Sequence, residues 1–187
     1  MPPHLIDLSD HYFAGLAVPR PDDLVFAPDL STLADARQTL AGVDFDVRGF
    51  IEVSSAVLKR SEPSYRESVE GIPIHQRGRR LHFLHAAVMP EADGTQIGSY
   101  VVHYADGQQQ EILIVYGQDV VAWDLDPPRT NSPPVVAWKG RNRVCVCVQL
   151  FKTTWDNPQP DVEIETLDFT SKMAQAAPFL VAITAEP

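Results

Sequence analysis

Three tryptophans, Trp123, Trp138 and Trp155, each stand at a strand end or in a loop, close in sequence to Asp119, Asp124, Asp156 and Asn157. A sugar offers an apolar C–H face ringed by hydroxyls. A site for one therefore pairs an indole or phenol ring with carboxylate, amide or guanidinium groups that bond the rim. In the run YGQDVVAW, Tyr116, Asp119 and Trp123 make such a set. Packing is the competing interpretation, since a tryptophan at a strand end often buries its ring and ties its N–H to a backbone carbonyl. Trp155 follows an apolar run and precedes NPQP, so its indole is expected to cap the end of the fold.

The same loops carry oxygen ligands. Asp156, Asn157 and Asp161 form one group, and Asp119, Asp124 and Asp126 another. Calcium needs six to eight oxygens, and these groups are the places where a structural calcium would sit. No linear calcium-loop pattern is present, so solvated loops, or turns in which Asp156 and Asn157 bond their own backbone amides, are the alternative.

Other chemistry is poorly supplied. His82 and His85 are three residues apart in HFLH, and on a strand residues at that spacing point to opposite faces. They cannot share an ion and are expected to be hydrogen-bonded separately, one at each sheet face. Cys145 and Cys147 in VCVCV would lie on one strand face, poorly aimed for a disulfide and too few for zinc, so both are expected as buried free thiols. No GxSxG, HExxH or phosphate loop occurs. The reading is noncatalytic, although 25 acidic residues mean that some pair could be drawn at glycosidase spacing.

These residues must be positioned by β-structure. Sixteen prolines in 187 residues, mixed with short Val- and Ile-rich runs, favour many short strands joined by stiff loops. Period-two runs predict strands over residues 5–8, 43–47, 49–54, 80–88, 99–104, 111–116, 135–138, 144–151, 162–169 and 179–184. Asp106-Gly107 supplies the turn of the clearest hairpin. In residues 162–169 the apolar side chains change face, and a bulge near Glu165-Thr166 would restore them to the core. The runs VCVCVQLF and PFLVAIT are apolar on both faces and should be central strands. A roughly helical spacing of leucines and alanines predicts a short helix or an irregular segment over residues 30–40, while residues 63–70 and 124–134 read as surface loops. The expectation is an all-β sandwich of antiparallel strands over residues 1–187 with at most one or two short helices, its first 40 residues partly irregular.

The net charge of −10 argues against nucleic acid and anionic lipid, and the basic cluster Arg77 to Arg80 reads as a solvated turn. No apolar run approaches the roughly twenty residues of a membrane helix. MPPHLIDLSDHYF has no basic start followed by an apolar block, so no signal peptide is expected. The chain is then cytoplasmic, or a piece of a longer secreted protein.

The ordered motifs LAGVDFDVRGFIEV, GIPIHQRGRRLHFLHA, IGSYVVHYADGQQQEILIVYGQDVVAW, AWKG, LFKTTWDNPQPDVEIETLDFTS and AAPFLVAITAE resemble a family of bacterial sandwich modules. These are the galactose-binding-like jelly rolls related to the novel carbohydrate-binding module family, frequent in large multidomain proteins of planctomycetes and their relatives. The resemblance covers most of the chain after about residue 40. It implies a jelly-roll fold, carbohydrate as ligand class and an envelope or secreted location. A scaffolding module that binds other protein domains is the alternative.

Overall fold

A computed structural model of the chain describes residues 4–17, 28–125, 133–143 and 145–187. Asp126, one of the candidate calcium ligands, lies outside the described residues. The strands are β1 (Ala14–Gly15), β2 (Ala36–Leu40), β3 (Val43–Val47), β4 (Gly49–Glu52), β5 (Ser68–Gln76), β6 (Arg80–Val88), β7 (Gln96–Tyr104), β8 (Gln109–Val115), β9 (Val135–Gly140), β10 (Val148–Asp156), β11 (Ile164–Ser171) and β12 (Ala177–Glu186). One α-helix, α1 (Ala56–Ser61), and a 3-10 turn at Ser9–His11 complete the described elements.

The strands form an all-β sandwich. One sheet runs β1-β4-β12-β6-β10-β9 and faces a second, β5-β11-β7-β8, with antiparallel pairing throughout. β12, the AAPFLVAIT segment, is buried on both faces, as its continuous apolar run requires of a central strand. Its outer side is covered by a third layer, the β2–β3 hairpin, which Thr184 Oγ1 grips by donating to the Asp44 carbonyl at 2.6 Å. Lys152 Nζ donates to the Ala41 carbonyl at 2.8 Å beside it.

Between the sheets, Phe83 of β6 stacks on Tyr100 of β7 with centroids 4.1 Å apart, and Tyr100 lies 5.1 Å from Phe169 of β11. Each such ring contributes about 1.5–3 kcal/mol on burial. β11 carries the bulge its sequence demands: the register with β5 and β7 shifts between Ile164 and Thr166, leaving Glu165 exposed and Ile164, Leu167 and Phe169 buried. The Asp106-Gly107 hairpin joins β7 to β8 with Gly107 at φ 84°.

Five expectations are corrected. Residues 30–40 form no helix. The chain turns at residues 31–35 and then enters β2, which pairs with β3 through Ala41-Gly42, both at positive φ (47° and 79°). That is the backbone of a tight two-residue hairpin turn, whose twist matches the strands it joins. Residues 145–147 of the VCVCV run are not strand, and Val144 lies outside the described residues: Asn142 Oδ1 accepts from the Cys145 amide at 2.6 Å, closing a turn, and Val146 is 96 % exposed. Cys145 and Cys147 are half-buried rather than buried. Residues 68–70, read as part of a loop, open β5, and residues 5–8 contribute only a bridge from Leu5 to Thr184.

Candidate functional site

The expected site residues divide between the interior and the sandwich end. Tyr116 is 2 % and Trp123 6 % exposed. The Tyr116 hydroxyl accepts from the Ala122 amide at 3.1 Å, and Trp123 is fixed by backbone bonds to Ala87 and Gln149. Asp119 Oδ2 accepts from the Val115 amide at 2.8 Å, and burial raises its carboxyl above the ordinary aspartate range. These three residues are neighbours, but their rings and carboxyl serve the fold.

Trp138, on the edge strand β9, is half-buried with its ring against Gly140. Trp155 is half-buried opposite Leu81 and packed against the core, where it caps the sandwich end. Trp138 pairs with Leu150, five residues from Trp155, so the backbone positions of the two tryptophans are offset by about 16 Å along β10.

The candidate calcium ligands are committed elsewhere. Asp156 pairs with Arg80 at 2.8 Å. Asn157 Oδ1 accepts from the Tyr104 hydroxyl at 2.6 Å and from the Gln159 amide at 2.9 Å, while its Nδ2 donates to the Gly78 carbonyl at 2.7 Å. With both lone pairs of that oxygen in use, Asn157 has none left for a cation. Asp124 and Asp161 are exposed, and among the described residues no three His, Cys, Asp or Glu side chains gather as a metal set.

The two histidines separate as strand geometry requires. His82 lies on the outer face of β6, bonded to Thr154 Oγ1 and Glu186 Oε2, both at 2.9 Å. His85 lies between the sheets, bonded to the Tyr100 hydroxyl at 3.0 Å and Thr153 Oγ1 at 2.8 Å. Burial pushes its imidazole down to about 3, so it stays neutral.

A ring-lined cavity occurs instead where the N-terminal segment crosses the edge of the sandwich. It measures about 430 Å³, within the range of small-molecule sites. β1 pairs with the edge of β4, and the Phe13 amide donates to the Phe50 carbonyl at 2.8 Å, so Tyr12 and Phe13 form one wall. Gly49 makes this approach feasible: a Cβ there would stand 2.7 Å from the Ala14 carbonyl oxygen and 3.0 Å from the Tyr12 ring.

Tyr65, presented by the turn after α1, extends this wall. Ser55 Oγ caps that helix by accepting from the Leu58 amide at 3.2 Å. Glu62 accepts from the Ser64 amide, and Lys59 Nζ holds the Tyr65 carbonyl at 3.0 Å. Phe13 and Tyr65 are stacked with centroids 5.3 Å apart, and Phe13 is 38 % exposed.

Ile51 and Val69 supply apolar lining, and Asp10, Glu62 and Arg66 supply charge. Glu52 also lines the cavity. It is 2 % exposed, and neither carboxyl oxygen has a hydrogen-bond partner among the described residues. Burial alone pushes its carboxyl up to about 8, so at neutral pH it is mostly protonated. Burial also raises the Tyr12 and Tyr65 hydroxyls to about 12, keeping both phenols as donors. A pocket of this composition can hold a ring against aromatic faces and hydrogen-bond its edge.

No protein-family model matches the chain, and no curated protein matches it. The reading of tryptophans overlooked this cavity because its rings come from segments far apart in sequence. One signal was present. Glu52 interrupts the apolar run GFIEV, and a lone acid inside a buried strand needs either a partner or a purpose.

Proposed function

We propose that this chain is a noncatalytic carbohydrate-binding module of the galactose-binding-like kind it resembles, and that it binds its sugar in the cavity walled by Tyr12, Phe13 and Tyr65. The observation carrying this reading is a part-exposed Phe13 ring stacked on the buried Tyr65 ring, beside a buried carboxyl with no hydrogen-bond partner among the described residues. The C–H face of a pyranose ring packs on aromatic carbon, and its hydroxyls find Glu52, Arg66 and the phenol groups within the same cavity.

Glycan-array screening of the wild type and of Phe13→Ala tests it. Phe13 is part-exposed, so its truncation should leave the fold intact. Loss of an aromatic anchor at the centre of a site costs more than about 1 kcal/mol, so binding should weaken about five-fold or more. Glycans held equally by both proteins would move the site elsewhere, and an array without binders would refute carbohydrate as the ligand class.

A further inference from the structure

Resting on that reading of the cavity, we infer that the ligand group seated at Glu52 is a protonated amine, so that the preferred sugar is an amino sugar with its amine free. Buried polar groups in folded proteins are hydrogen-bonded with few exceptions, and Glu52 is an exception with two orphaned oxygens. Among the described lining residues, His11, Tyr12, Ser64, Tyr65 and Arg66 carry potential donors, yet none bonds it. The missing donor has to arrive with the ligand.

Three features select an ammonium over a hydroxyl. An ammonium brings three N–H donors and a positive charge, and charge-assisted hydrogen bonds to a carboxylate are roughly twice as strong as neutral ones. The Tyr12, Phe13 and Tyr65 rings surround the same space, and a cation is attracted to aromatic faces. The other charged groups facing Glu52 are Asp10 from the 3-10 turn and Glu62 and Arg66 from the turn after α1, so carboxyls outnumber guanidinium at the mouth. On neighbouring β12 the register partner of Glu52 is Phe179, and β5 contributes Val69 to the lining. The net charge of −10 adds a field that draws cations from solution.

The inference has a proton-balance signature. Glu52 is protonated in the free protein at pH 6, because burial holds its carboxyl up to about 8. Seating an ammonium beside it ionises the acid, and the proton leaves to buffer. A neutral sugar leaves the proton in place.

Calorimetric titration at pH 6 in two buffers of different ionisation heat, using the glucosamine trimer, the N-acetylglucosamine trimer and the glucose trimer, tests this. The expected result is at least ten-fold tighter binding of the glucosamine trimer with release of close to one proton. Glu52→Gln should abolish both the preference and the release. Equal binding of the neutral trimers, or glucosamine binding without proton release, overturns the amine assignment and leaves the sugar reading standing. Glucosamine binding unchanged by Phe13→Ala overturns it as attraction to an acidic surface. If none of the trimers binds, the amine assignment falls, and the array result decides whether the sugar reading falls with it.

Discussion

Glu52→Gln should stabilise this protein at alkaline pH and leave it unchanged in acid. Burial moves the Glu52 carboxyl from 4.5 to about 8, so between those values the folded chain keeps a proton that the unfolded chain has released. Raising the pH through that window therefore favours unfolding, by about 1.4 kcal/mol per pH unit and roughly 5 kcal/mol over the whole span. That loss is comparable to the total stability of many small domains, about 5–15 kcal/mol. Glutamine has nearly the same size and no charge at any pH. The variant should match the wild type near pH 4 and exceed it by roughly 5 kcal/mol above pH 8. Urea unfolding of both proteins from pH 4 to 9 measures the difference, and every other titrating group cancels in the subtraction. Parallel stability curves would refute the argument, because they would mean that Glu52 ionises in the folded protein as readily as in the unfolded chain.

Gly49→Ala should push β1 off the edge of β4, since the new methyl would meet the Ala14 carbonyl oxygen at 2.7 Å. A loss of about 1–3 kcal/mol is expected from such overpacking, together with loss of binding at the Tyr12–Phe13 wall. Denaturant midpoints and the trimer titrations check both, and retained binding would free the cavity from its dependence on β1. His85→Leu strands the Tyr100 hydroxyl and Thr153 between the sheets, at a cost of about 2–4 kcal/mol at pH 7. In the wild type, burial of the neutral imidazole makes stability fall as pH drops from 6.5 towards about 3. The variant should lack that acid-side component, and an unchanged acid limb in its unfolding profile would contradict the neutral assignment.

Where a strand's own alternation met a core on one side, the sequence was sufficient. β3 and β6 occupy their expected residues, the bulge in β11 follows from the change of face after Ile164, and the opposed histidines follow from strand period alone. β12 declared its central place because continuous burial needs a continuous apolar run. β2 did not, because none of its side chains is buried and its residues ARQTL carry no apolar–polar alternation. It is a strand by virtue of pairing with β3, through a turn that puts Ala41 rather than Asn or Asp at positive φ. The Cys145–Cys147 run shows the converse, strand-like residues held out of the sheet by a side-chain bond from Asn142.

The candidate site depended still more on three dimensions. Tyr116 and Trp123 have the residue types of a sugar site, yet packing encloses both, and nothing local in the chain distinguishes an enclosed indole from a presented one. Sequence by itself determined the sandwich, since hydrophobic period is a property of each strand alone. Only the tertiary structure brought Tyr12, Phe13, Glu52 and Tyr65 to one cavity, because that meeting requires the first strand to settle on the edge of the fourth and α1 to turn Tyr65 back towards it.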